Sequence, residues 1–363
     1  MQLTQASNQW KNRPDDERFL SITDMNNHFQ RLRSRSAEKV LLNSDLRVIP
    51  NASGNGEIEI IGKNSTIPAK ITHWSLGQLA QRAQAPASYI RSLPPEIAST
   101  CLNYGLQSSG VGSIGALLSV NDNMEPELRA VTGPNYGRIW NATISNAIVE
   151  RFGDGITSDF RVPGEFGKDI VVTKQNTTLY ASDRDMFVFL ADEKNRIEIP
   201  NRRDGKNGSL ARGFFVWNSE VGAATFGVAS FLFDYACSNR IVWGAQGYKE
   251  FKIRHTSQAP ERWIEEIHPM IKQYTNSSTM GIVTAIKSAM NMPVADPKGF
   301  LQQRFTGTLA DKIMQAHFND EHKPIETIWD VTTGITAFAR SIEHQDARVG
   351  MERTAGKILE MAL

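Results

Sequence analysis

The sequence predicts an α+β fold, a mainly antiparallel sheet domain with short helices before it and a helical region after it. Three observations carry this. Between Ala116 and Arg254 strand-like runs outnumber helical ones, without the regular strand–helix alternation of a parallel sheet. The longest apolar run, Arg212 to His255, is rich in the aromatic and β-branched residues that suit a pleated, half-buried surface. From Pro260 onward, apolar residues recur at helical spacing. The 363 residues thus divide into a mobile N-terminal arm over 1–18, an α+β core over 19–259 and a helical region over 260–363.

Taken in order, the polar arm ends at Pro14-Asp15-Asp16-Glu17, which resembles a helix start. Ser21 to Leu42 has helical character, with Met25, Phe29 and Leu32 on one face and Arg31, Arg33, Arg35 and Lys39 on the other. Leu46 to Ile49 and Glu57 to Ile61 read as a β pair, joined by Gly- and Asn-rich residues that tolerate positive φ. His73 to Leu93 is helical, with Pro86 starting a second helix, and Pro94-Pro95 opens a third over Glu96 to Tyr104. A helix-turn-helix DNA reader is a poor fit there, since Ala87 to Leu93 offers base edges only Arg91. Gly105 to Gly115 reads as a flexible loop; it lacks the Lys-Ser/Thr of a phosphate-binding loop. Strands follow at Leu117 to Val120 and Leu128 to Val131, then a helix from Asn141 to Phe152 ended by Gly153. Further strands are expected at Asp169 to Thr173, Thr178 to Ala181, Met186 to Leu190 and Ile197 to Ile199. Phe214 to Trp217 and Tyr248 to Arg254 complete the sheet. The helical region is expected over Glu261 to Tyr274, Met280 to Met290, Asp296 to Phe305, Thr327 to Ala339 and Met351 to Leu363.

Inside the long apolar run lies a polar cluster, Asn218-Ser219-Glu220-Val221-Gly222, and the run closes on Cys237-Ser238-Asn239-Arg240. A buried unpaired polar group costs about 1–3 kcal/mol, so Asn218, Ser219, Glu220 and Asn239 are expected to form a satisfied structural network. The order of these two polar clusters around an apolar run resembles the phage- and plasmid-borne family defined by the domain of unknown function numbered 932. Leu128-Arg129-Ala130-Val131, Tyr136-Gly137-Arg138-Ile139 and Ser182-Asp183-Arg184-Asp185 support the resemblance, which runs from about Trp74 to the C-terminus. It implies a phage or plasmid setting and assigns no activity. One departure is Arg240, where the family pattern leads to expect an Asn-Gly pair after the cysteine.

Lys and Arg number 40 against 39 Asp and Glu, a net charge of +1, so any nucleic-acid site must be a local patch. Two cysteines argue against a disulfide framework and a zinc site. No signal-peptide core or membrane-length apolar run is visible, so a cytoplasmic location is expected, and the resemblance implies that of a bacterial host. The sequence offers no catalytic elbow, no cofactor motif and no convergent histidines, so no catalytic residue, cofactor or metal is assigned. The best cationic patch is Arg196, Arg202, Arg203, Lys206 and Arg212, beside the aromatic Trp217. Tyr248, Lys249, Lys252 and Arg254 add cations interleaved with a ring, the pattern of a single-strand binder. The expected function is therefore single-stranded nucleic-acid binding by a homo-oligomer, with single-stranded DNA as the partner of a strand-annealing or recombination accessory that has no enzymatic activity. The apolar residues after Pro260 are expected to supply the self-association surface. Two alternatives stand beside it. One is a metal-dependent nuclease using Asp183, Asp185, Asp192, Glu193 and Glu220; the other is a counter-defence protein that binds a host protein.

Overall fold

The computed structural model describes residues 14–51, 58–65, 67–108, 112–163, 171–203, 206–234, 239–241, 251–267, 269, 271, 273, 278, 280–342 and 345–362. Side chains at 200–203, 206, 233–234, 239–241, 264, 267, 345–347 and 349 also lie outside the description. The expected α+β class holds: two mostly antiparallel sheets, with helices before, between and after them.

The first sheet has the order β1-β5-β6-β4-β3-β2, from Ser36–Leu42, Ser113–Val120, Pro126–Thr132, Ala69–Ile71, Ile58–Gly62 and Leu46–Pro50. Only β4 and β6 run parallel. Helices His73–Arg82 and Pro95–Ser108 cover one face, where Leu79, Leu102 and Leu106 meet Val48, Ile114 and Val131. The second sheet has the order β13-β12-β11-β9-β7, with β10 on β11, β14 on β12 and β8 on β9. Its long strands are Met186–Asp192 (β9), Lys206–Asn218 (β11) and Phe226–Asp234 (β12). The short ones are Phe160–Arg161 (β7), Leu179–Ala181 (β8), Ile197–Arg203 (β10), Asn239–Ile241 (β13) and Phe251–Ile253 (β14). One face buries Val188, Leu190, Phe214, Val216 and Val228 under helices Ile22–Ser34 and Asn141–Phe152; the other buries Phe187, Phe189, Phe215, Trp217 and Phe231. Burial on both faces explains why this stretch reads as a continuous apolar run rather than an alternating one.

Several expectations are corrected. The helix begun at Ser21, whose Oγ accepts from Asp24 N, stops at Ser34, and Ser36–Leu42 is a strand. Ala, Glu, Lys and Leu favour a helix there, but pairing to β5 across the whole strand overrides local propensity. The expected flexible loop at Gly105 is largely ordered: the helix runs through Gly105 to Ser108, and β5 begins at Ser113. A Cβ on Gly105 would lie 2.2 Å from Ala83 O, so this glycine permits close helix approach. Val171 to Thr173 is not a strand. Of the segment 1–18 expected to be mobile, residues 1–13 lie outside the description, but Arg18 is held, its Nη1 donating to Lys174 O and its backbone bridging Tyr180.

In the helical region, Gly307–Glu321 forms a helix that the sequence reading passed over, and the last long helix begins at Gln345. The first expected helix begins as Ala259–Arg262 and passes through a π-turn over Trp263–Ile267, and the described residues 269, 271 and 273 beyond it are helical. Ile282 and Ile286 of helix Met280–Asn291 share a core with Ile197, Ile199, Leu210 and Leu232 of the second sheet. These two side chains therefore cover the sheet and are unavailable for self-association, while Met280 is 72% exposed. No helix among the described residues is long and apolar enough to cross a membrane.

Candidate nucleic-acid interface

The Asn218-to-Gly222 cluster forms the turn between β11 and β12, and it lies where the two sheets meet. Glu220 is buried; its Oε2 lies 3.3 Å from both Nη1 and Nη2 of Arg129 on β6, and its Oε1 accepts from Asn141 N at 2.8 Å. Asn141 opens helix Asn141–Phe152, so one carboxylate caps a helix and neutralises a buried arginine. Asn218 Nδ2 donates to Ile139 O and Asn141 Oδ1 at 2.8 and 2.7 Å. Ser219 Oγ donates to Arg184 O and accepts from Ala223 N. Trp74 Nε1 and Gln78 Nε2, both from helix His73–Arg82, donate to Val221 O. Asn218, Ser219 and Glu220 thus form a network that ties the turn to residues 79 and 35 positions away, although the buried Asn218 Oδ1 has no partner and the expected full satisfaction is not reached. Asn239 pairs with Asp234 through the β12–β13 ladder, and its side chain lies outside the description.

A second segment, Tyr136 to Asn141, threads through the same junction. Tyr136 Oη donates to Ser219 O at 3.0 Å, and burial pushes the hydroxyl above the usual phenol range. Gly137 exchanges hydrogen bonds with His255, whose ring stacks on Tyr136 with centroids 4.8 Å apart. Burial is the main reason that the His255 imidazole is pulled down to about 4, with the Arg138 charge lowering it further and the bond to Gly137 O opposing. A Cβ on Gly137 would lie 1.8 Å from Thr256 O, so only glycine permits this crossing.

The predicted cationic patch does not assemble as one surface. Trp217 is 1% exposed, stacked on Phe215 and pressed against Gly227, so it has no ring face for a base. Arg212 is buried with Asp192 at 3.4 Å, and Arg196 Nη2 is held by Glu193 at 2.6 Å. A desolvated arginine inside a pair cannot serve a phosphate without breaking it. Arg203 stands opposite Lys206 at the β10–β11 turn, while Lys252 is opposite Gly227, the partner of Trp217. Along β11 these places are separated by roughly 36 Å, eleven residues at about 3.3 Å each. Arg202 belongs to the distant end with Arg203 and Lys206; Tyr248 and Lys249 lie outside the described residues. Lys252 and Arg254 are exposed, on either side of the buried Ile253.

The carboxylates offered for a metal do not converge. Asp192 faces Arg212 and Asn195, Glu193 faces Arg161 and Arg196, and Glu220 faces Arg129. Asp183 pairs with Arg184, and Asp185 accepts from Ser182 Oγ. Among the described residues no group of three or more His, Cys, Asp or Glu is placed to hold an ion.

What the fold does bring together, and the sequence reading missed, is a set of arginine–aromatic pairs at the junction. The exposed Arg33 lies with its guanidinium carbon 3.8 Å from the centroid of the Trp140 ring. Arg138 approaches Tyr136 and Trp140 at 5.0 and 5.8 Å, and Arg184 approaches Trp74 at 5.8 Å. Trp74 and Trp140, both half-buried, pack on the same small core of Leu117, Ala130 and Val221. Beside them, bounded by Arg82, Thr132, Gly133, Tyr136 and Gly222, is a cavity of about 450 Å³. A separate groove of about 510 Å³ with an aliphatic floor crosses the first sheet, with Arg35, Lys39 and Lys63 among its lining residues. No family model, no curated protein and no solved structure matches this chain.

Proposed function

We propose that the chain binds single-stranded nucleic acid across the junction surface, as a non-enzymatic annealing or recombination accessory. The observation that carries the reading is the pairing of half-buried Trp140 and Trp74 with arginines at the surface. A guanidinium held over a ring offers a base a stacking partner and a phosphate a cation at once, the combination that sequence-tolerant single-strand binders use. Lys252 and Arg254 extend the cationic side, because His255, next in the chain, is hydrogen-bonded to Gly137 and brings that strand end against Tyr136 and Arg138. The proposal moves the site from the β10–β11 hairpin to the junction. Arg202, Arg203 and Lys206 become a second, distant contact, reachable only by an oligonucleotide long enough to run along β11. The resemblance in motif order supports a phage- or plasmid-borne setting, and self-association belongs to the same proposal.

The test is anisotropy titration of a labelled 20-nucleotide oligothymidylate at several salt concentrations. Arg33→Ala with Arg254→Ala should weaken binding and lower the salt slope by about 1.4, two phosphate contacts at about 0.7 each, while leaving the melting temperature nearly unchanged. A wild-type protein that shows no binding at low salt would refute the proposal. Light scattering of the same samples reports subunit number with and without ligand.

A further inference from the structure

Two Arg–Glu pairs meet at the junction, and they are built differently. Glu220 is 4% exposed and has every oxygen engaged, one by two nitrogens of Arg129 and the other by Asn141 N. Arg138 is buried as deeply, with its side chain 2% exposed, yet it meets a carboxylate through Nε alone, 2.6 Å from Glu38 Oε1. Its Nη1 is buried and has no partner. A guanidinium takes carboxylate or phosphate through two parallel N–H groups on one edge, Nε with Nη2 or Nη1 with Nη2, and Glu38 hydrogen-bonds only Nε, so this site is half-filled. Glu38 itself is 43% exposed, on β1, which ends the sheet and pairs only with β5.

We propose that Arg138 is the centre of a phosphate subsite and that Glu38 is an internal stand-in for the anion, displaced when ligand arrives. The natural ligand, a phosphodiester, rests on the nucleic-acid reading; the subsite would take any phosphate group. A buried arginine left without a counter-charge is strongly destabilising, which is why the empty protein keeps a carboxylate there. A phosphodiester has two charged oxygens and can engage Nε together with Nη2, the nitrogen on the same edge of the guanidinium, where Glu38 hydrogen-bonds Nε alone. Glu38 loses little by leaving, because its carboxylate already borders solvent and ends in water. The place also fits a nucleotide: Arg138 faces Tyr136 and Trp140, so a phosphate held there lies beside the ring that Arg33 covers. The contact is therefore autoinhibitory, raising the threshold for anions that do not also stack.

Glu38→Ala opens the subsite, and inorganic phosphate is the first probe. The variant should melt below wild type, and millimolar phosphate should restore its melting temperature far more than it raises that of wild type. Restoration should vanish in Glu38→Ala combined with Arg138→Gln. Glu38→Gln, which keeps the side-chain size, is the second variant should the alanine protein fail to fold; it should also gain phosphate protection. With oligothymidylate, both Glu38 variants should bind roughly fivefold tighter than wild type, the equivalent of one half-exposed ion pair. Phosphate protection with no oligonucleotide binding by any variant would uphold the subsite, identify free phosphate as its source and refute the nucleic-acid reading. Oligonucleotide binding by wild type, with neither tighter binding nor phosphate protection in the Glu38 variants, would overturn the subsite and leave that reading standing.

Discussion

Replacing Glu220 by alanine removes the partner of a buried cation and the cap of a buried helix start in one step. Arg129 is 6% exposed, and both of its terminal nitrogens face Glu220 Oε2 at 3.3 Å. Breaking a buried pair from one side typically costs about 3–5 kcal/mol, because the remaining charge stays desolvated. Asn141 N loses its acceptor as well, and an orphaned buried donor costs about 1–3 kcal/mol. Relaxation and water entry overlap these two costs, so about 4 kcal/mol in total is expected. At roughly 2–4 °C per kcal/mol for a domain of about 150–250 residues, the melting temperature should fall by about 8–16 °C. Glu220→Gln keeps an acceptor for Asn141 N and should cost about half as much. The sharper comparison is Arg129→Met with Glu220→Met, which removes both charges: it should be less destabilised than either single variant, leaving chiefly the unpaired Asn141 N–H. Thermal melts followed by circular dichroism and by tryptophan fluorescence would measure all of these, since Trp74 and Trp140 border the junction. A Glu220→Ala protein melting within 2 °C of wild type would refute a structural role for the carboxylate. If it also lost oligonucleotide binding, Glu220 would belong to the ligand site instead.

Gly227→Ala would place a Cβ 1.9 Å from the buried Trp217 ring, and overpacking of this kind costs about 1–3 kcal/mol or more; near-ultraviolet circular dichroism should lose tryptophan fine structure, and an unchanged spectrum would contradict the packing. Gln84 ends helix His73–Arg82 in the left-handed region at φ 55°, a conformation costing about 1–2 kcal/mol for a residue with a Cβ. Gln84→Gly should therefore raise thermal stability by about 1 kcal/mol, and a lower melting temperature would show that the side chain contributes more than the strain removes. His255, held near 4 when folded against about 6.5 when unfolded, binds its proton more readily in the unfolded chain. Stability should therefore be complete above about pH 6.5 and fall by roughly 3 kcal/mol as pH drops toward 4. His255→Phe, which retains a ring against Tyr136, should flatten that part of the profile; an equally steep variant would assign the loss to other groups.

The sequence by itself determined the class and the organising element. Aromatic and β-branched residues crowded into Phe214 to Trp217 and Phe226 to Phe231 have few other uses than a doubly covered sheet. An Asn-Ser-Glu cluster between such strands needs partners, and the buried network supplies them to Asn218 Nδ2, Ser219 and Glu220 but not to Asn218 Oδ1. Helix His73–Arg82 and helix Asn141–Phe152 were legible because their apolar spacing and end signals are local. Local preference misled at Ser36–Leu42, where a helix-favouring sequence is pulled into a strand by β5, some 80 residues away. It misled again at the cationic patch, because a list of basic residues does not say which ones meet an acid. Arg196 and Arg212 find Glu193 and Asp192 and are spent on the fold. Which arginine meets a ring is likewise a property of the packed chain. Arg33 and Trp140 lie more than 100 positions apart, and their approach depends on helix Ile22–Ser34 packing against helix Asn141–Phe152. No periodicity in either segment encodes that meeting. The tertiary structure alone decided the candidate site, because pairing among charges and rings is fixed by three-dimensional proximity, whereas strand and helix patterns are fixed by the period of the chain itself.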